Sequence, residues 1–268
     1  MTSVETPLVT PAYFEPIDPI TFRATSGVQG AWNTAEQHIA PALGLLTHVL
    51  ETDHRARHGS PLSLARISFD ILGTLAIDAV ETRTHVIRRG RTIELSEAVL
   101  SQDGRAAVIA RGWFLADSDT EDVSASALSP IPSRADMAPW DASEIWPGEY
   151  VTTVDVRRDE ERPGRARFWM RPKISLIAGT AVSTTARMLG LVDIANGVTP
   201  LIAPTVMAFP NVDLTAHLFR APVSDWIGFD TTVSFGPRGH GLTHTVLHDD
   251  VGPIGTVQQS LTLRVNSL

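Results

Sequence analysis

The same order of elements is written twice in this chain: an apolar stretch at helical spacing, then β-type runs separated by turn sequences. In the first copy, Ala40-Pro41-Ala42-Leu43-Gly44-Leu45-Leu46-Thr47-His48-Val49-Leu50-Glu51 is apolar on most sides. Pro41 is tolerated in its first turn, where a missing N–H would have no intrahelical partner anyway. A helix apolar on most sides is wrapped by other elements rather than laid on a surface. Runs of β type follow at Leu64–Leu72, Leu75–Arg88, Thr92–Leu100 and Ala106–Leu115, split by Gly73-Thr74, Arg89-Gly90 and Gln102-Asp103-Gly104. In the second copy the spacing predicts a strand at Arg165–Met170, a helix over Thr180–Ala195 stopped by Asn196-Gly197, and runs at Asp213–Phe219, Trp226–Phe235, Gly241–His248 and Ile254–Val265. Arg89-Gly90 matches Arg238-Gly239, and Val99-Leu100 matches Val246-Leu247. Each copy is a helix plus an antiparallel meander whose edges the other can cover, so the expected class is α+β, with one continuous sheet around two central helices. The units are expected at residues 1–120 and 151–268, joined by a Ser-, Pro- and Ala-rich linker over 121–150, with residues 1–20 an extended arm leading to a strand at Ile20–Ala24.

Composition removes several function classes. With no cysteine there is no disulfide, thiolate nucleophile or thiolate metal site. A formal charge of −8 argues against generic nucleic-acid binding, which needs a basic field. Neither a long apolar span nor a basic-then-apolar leader is visible, so a soluble cytoplasmic protein with no membrane partner is expected. A Gly-x-Ser-x-Gly nucleophile elbow is absent, and Gly236-Pro237-Arg238-Gly239-His240-Gly241 opens no helix, so it reads as a hairpin turn and not a phosphate loop.

Alternation places three polar residues of the second copy on the polar sides of their strands. Asp213 alternates against Val212 and Leu214, Ser234 against Val233 and Phe235, and Gln258 against Val257, with Leu261 and Leu263 on the apolar side. A simply solvated face gives the same pattern. In the first copy the aligned positions are Arg66 for Asp213 and Ala110 for Gln258, so only the second copy carries both polar groups.

The duplicated helix-plus-meander resembles the double hotdog fold of the acyl-CoA thioesterase superfamily. Residues 205–265 resemble the type II acyl-CoA thioesterases most, through Val212-Asp213-Leu214, Thr232-Val233-Ser234 and Gly255-Thr256-Val257-Gln258-Gln259. The resemblance implies hydrolysis of a small-molecule acyl-CoA to a carboxylic acid and free coenzyme A, by a water that Asp213, Ser234 (or Thr232) and Gln258 orient. It implies no cofactor beyond the coenzyme A of the substrate, and association into a homodimer. A thioester is already activated, so the site need only position water and stabilise the oxyanion. Main-chain N–H groups near Thr180, or beside the first central helix, would polarise the carbonyl. The acyl chain would lie along the helices at Leu43, Leu46, Leu189 and Val192, and the phosphates against Arg88, Arg89, Arg91, Arg220 and Arg238, since Arg matches phosphate geometry.

Other features read as structural. His240, His244 and His248 have no carboxylate placed with them, so no metal is expected. Asp193 reads as locally paired near a helix end, Asn33 as a capping residue and His38 as a cap or surface histidine. The alternatives are a non-catalytic acyl-CoA-binding protein and an acyl-CoA hydratase or dehydratase. In related folds the latter chemistry uses an Asp/His pair at the helix, which the sequence does not single out.

Overall fold

The computed structural model describes residues 11–59 and 62–266. In chain order the strands and helices are β1 (Ala12–Pro16), β2 (Thr21–Ala24), α1 (Ile39–Arg57), β3 (Ser63–Ile71), β4 (Ala79–Arg88), β5 (Ile93–Gln102), β6 (Arg105–Leu115), β7 (Ala138–Pro139), β8 (Val154–Arg162), β9 (Arg165–Pro172), β10 (Ser175–Ile177), α2 (Thr184–Leu189), α3 (Ala195–Val198), β11 (Met207–Ala208), β12 (Asp213–Leu218), β13 (Ile227–Phe235), β14 (His240–Asp249), β15 (Gly252–Thr262) and β16 (Arg264–Val265). Fourteen of them form one sheet, ordered β10-β1-β2-β4-β5-β6-β3-β12-β15-β14-β13-β9-β8-β7. Strands β11 and β16 form a separate ribbon.

That order is palindromic. From the centre outward it reads β3-β6-β5-β4-β2 in one direction and β12-β15-β14-β13-β9 in the other. The duplication expected from sequence is therefore present, and the double hotdog class with it. The connectivity differs from a plain meander: within the large sheet, the first strand after the helical part of each unit joins the last strand of that unit, so β3 pairs with β6 and β12 with β15. The two units meet where β3 and β12 pair antiparallel, Thr215 opposite Ser68.

Helix α1 forms as expected and is buried along most of its length. His38 caps it by accepting from the Ala40 N–H through Nδ1, and Pro41 sits in the first turn. Its last turn carries His54, Arg55 and Arg57, which suit the negative end of the helix dipole. The second helix is not one helix. It runs as α2, breaks at Gly190, passes through a 3-10 turn at Val192–Ile194 and resumes as α3. The two helices cross backbone against backbone at this point: a β-carbon on Gly44 would lie 2.9 Å from the Gly190 Cα and 2.9 Å from the Ala186 carbonyl oxygen.

Two segments read as loose are built in. The described part of the N-terminal arm supplies β1, which pairs parallel with β10 of the second unit, and Tyr13 bonds Thr153 at 2.8 Å. The end of the expected linker buries Trp146 and Tyr150. No helix among the described residues is long and apolar enough to cross a membrane.

Candidate active site

A cavity of about 540 Å³ opens where the two units meet at one end of the strands. The loop before α1 (Gly30 to Ile39), the end of β3 (Ile71, Leu72), the 3-10 turn (Asp193, Ile194) and the start of β12 (Asn211, Val212) line it. Its wall carries an aromatic cluster: the Trp32 ring stands edge-to-face to Trp146 at 4.7 Å and to Phe209 at 5.1 Å.

Asp193 is a buried ionisable group in the cavity lining. The turn after the Gly190 break swings it from the helix line toward the sheet, where its Oδ1 accepts from Asn211 Nδ2 at 2.7 Å. Gln259, on the inward face of β15, donates to the Asp193 main-chain carbonyl at 3.0 Å and fixes the turn. Burial pushes the Asp193 carboxyl up to about 6, against the opposing hydrogen bonds from Asn211 and Gln259. His38 closes the other side, with Nδ1 3.7 Å from Asp193 Oδ2 and its ring stacked on Tyr150 at 4.2 Å. Burial pulls His38 down to about 3, so it is neutral. Since Nδ1 accepts from Ala40, its proton is on Nε2. Ile39, the first residue of α1, lines the same cavity, and its N–H has no partner within the helix. A buried carboxylate able to take a proton thus faces a helix N-terminus able to stabilise an oxyanion.

The residues singled out from alternation lie elsewhere. Asp213, Ser234 and Gln258 share a face, but it is the outer one: Ser234 and Gln258 are exposed, while Leu214, Val257 and Gln259 point inward. Asp213 accepts from the Ser260 N–H, Gln258 lies 3.4 Å from His244 and Thr232 bonds the His244 carbonyl. The polar side of these strands is the solvated side. Ala110 is wholly buried, so its proposed equivalence to exposed Gln258 is off register, and a one-residue slip reverses the face. The inward glutamine is its neighbour Gln259.

Leu43, Leu46, Leu189 and Val192 have no exposed surface and none borders the cavity. They are core, not an acyl channel. Arg88, Arg89 and Arg91 sit on the β4–β5 hairpin, where Ile93 pairs with Leu115 and Leu115 with Ser63; the cavity is at the opposite end of β3, beside Ile71. Arg220 is held by both oxygens of Asp249 at 2.6 Å and by the Gly252 carbonyl. Arg238 lies on the β13–β14 hairpin, whose Gly239 carbonyl accepts from Leu263, between two cavity residues, Thr262 and Arg264. Arg264, missed from sequence, lines the cavity.

Asp193 reads from sequence as locally paired and His38 as a cap or surface histidine; His38 does cap α1, but the two also meet each other across the fold. Asn33 does cap its turn, accepting from Ala35 N–H. His248 is buried against the Ser129 carbonyl while His240 is exposed, so the three β14 histidines do not converge. His54, His58 and Glu94 do converge. However, Arg57 occupies both Glu94 oxygens, and His54 Nε2 accepts from Leu62 N–H, which puts its proton on Nδ1. The group is an ion-paired hub.

Comparison with known proteins agrees with this architecture. Residues 28–115 match the acyl-CoA thioesterase N-terminal domain, and residues 131–263 the acyl-CoA thioesterase C-terminal domain. Among solved structures the chain is similar to a protein from Novosphingobium aromaticivorans assigned to the thioesterases, at TM-score 0.72 and 17% identity over 94% of this chain and 98% of that one. It is also similar to acyl-CoA thioesterase II TesB2 from Mycobacterium marinum, at TM-score 0.63 and 15% identity over 95% and 96%. A dehydratase domain from the CurJ module of the curacin polyketide synthase matches at 0.56 and 14%, over 97% and 98%. No curated protein matches the chain in sequence. With both domains of one family matched in order across most of its length, the chain belongs to the acyl-CoA thioesterase family.

Proposed function

We propose that the protein hydrolyses acyl-CoA thioesters at the Asp193 cavity, without a cofactor. The observation that carries this reading is a buried carboxylate, raised to about 6, held by Asn211 and facing the N-terminus of α1 across a cavity. In this reading the thioester carbonyl points at the Ile39 N–H, whose position at the start of a 19-residue helix favours negative charge. Asp193 takes a proton from the attacking water, the tetrahedral intermediate collapses, and the coenzyme A thiolate leaves and collects a proton. Gln259 acts by holding the turn, and neutral His38 offers its Nε2 proton as a further donor. Arg264, in the cavity lining, and Arg238, on the hairpin that bonds the neighbouring Leu263, suit the substrate phosphates.

Release of free thiol from acyl-CoA tests this directly. Asp193→Asn is expected to lower kcat by about a hundredfold or more. Full activity in that variant, or no thiol release by the wild type, would sink the reading.

The His38–Asp193 approach at 3.7 Å also supports a second reading, hydration or dehydration of an acyl-CoA by that pair. Loss of a 2-enoyl-CoA without thiol release would favour it.

A further inference from the structure

We infer that the acyl group this site accepts is compact, a short branched chain or a single aromatic ring, and that Trp32 sets this limit. The inference rests on the thioesterase reading and names its substrate class. Two observations carry it.

The first is that the route between the central helices is shut. At their crossing Gly44 has no room for even a methyl group, with the Ala186 carbonyl oxygen and the Gly190 Cα both 2.9 Å from where it would sit. On either side Leu43, Leu46, Leu189 and Val192 are fully buried in the core. A long alkyl chain entering there would have to separate two backbones and their flanking leucines. Close-packed interiors resist such insertion.

The second is the wall of the cavity itself. The loop that carries Trp32 folds back on itself, the Gly30 N–H bonding the Glu36 carbonyl at 2.7 Å and Gln29 bridging Gln37. This sets the Trp32 ring across the cavity wall, braced edge-to-face by Trp146 and Phe209. Trp32 is still 46% exposed while Trp146 and Phe209 are buried, so an apolar ring surface is left for a ligand by a rigid aromatic stack. Ile39, Val151 and Ile194 complete an apolar lining close to Asp193. An acyl group that reaches this carboxylate therefore packs against the Trp32 wall and finds no onward route between the helices.

Binding of non-hydrolysable thioethers reads the acyl site without needing turnover. S-butyl-CoA, S-(2-phenylethyl)-CoA and S-hexadecyl-CoA are titrated calorimetrically into the wild type, Trp32→Ala and Trp32→Phe, the last ligand below its micelle threshold. The two compact ligands are expected to bind the wild type about tenfold more tightly than the hexadecyl one, a difference of about 1.4 kcal/mol. Trp32→Ala should bring the three within about threefold, and Trp32→Phe should keep most of the preference. Hexadecyl binding equal to or tighter than the compact ligands in the wild type overturns the inference and leaves the thioesterase reading standing. No binding of any of the three removes both. An unchanged preference in Trp32→Ala overturns the role of Trp32.

Discussion

Asn211 donates to the Asp193 carboxylate at 2.7 Å from a different segment, just before β12, so a residue 18 positions away counters the burial that raises this acid. As Asp193 must be ionised to act as a base, kcat/KM is expected to rise with pH through about 6. Asn211→Ala removes a hydrogen bond that lowers the carboxyl, so the acid limb should move to higher pH. A pH–rate profile of the two proteins checks both statements, and an unmoved limb would detach Asn211 from the titration.

The same acid carries a stability cost. Its folded value lies above that of an unfolded carboxyl, so its contribution to folding is fully present below the ordinary carboxylate range and is lost as pH rises through about 6. Asp193→Asn should therefore be more stable than wild type at pH 8, by about 1–3 kcal/mol, with the gain shrinking toward pH 4. Urea unfolding at the two pH values measures this.

Neighbouring glutamines on β15 should behave oppositely. Gln258→Ala, on the outer face, is expected to change stability by no more than about 0.5 kcal/mol and activity hardly at all, as are Ser234→Ala and Asp213→Asn. Gln259→Ala leaves the buried Asp193 turn without its donor and should cost about 1–3 kcal/mol, with a fall in kcat. A fall in kcat for Gln258→Ala and none for Gln259→Ala would return the chemistry to the outer face.

Glu94 is the second electrostatic centre. Burial opposes its charge, but hydrogen bonds from Arg57, His54, His58 and Ser96 outweigh that and hold the carboxyl well below its usual range. Its contribution is present above the ordinary carboxylate range and is lost as pH falls through the depressed folded value. Glu94→Ala should cost about 3–5 kcal/mol, measured by urea unfolding, because Arg57 and His54 lose their shared anion.

The fold was legible because its two signals are local: a 3.6-residue apolar stretch at Ala40–Glu51 and alternating runs between Gly- and Asp-containing turns. Strand order was not, since nothing in the sequence of Ser63–Ile71 says that it joins β6 and not β4. The site failed for a related reason. Alternation finds a polar face and cannot say whether that face meets solvent or a helix, and in β15 the polar residue on the inward face, Gln259, follows directly after one on the outer face. Asp193 was visible as a residue. Its partners His38, Asn211 and Gln259 come from three separate parts of the chain, and only the Gly190 break directs it toward them. The aromatic wall was hidden likewise, with Trp32, Trp146 and Phe209 far apart in sequence.

Strand β1 pairs with β10, Ala12 opposite Ser175, so the first unit is edged by a strand from the second. On the ribosome this fixes an order of events. Helix α1 and strands β3 to β6 can collapse as soon as they emerge, but β1 has no partner on its outer side until Ser175 follows, well over a hundred residues later. Until then that edge is open to any extended strand it meets.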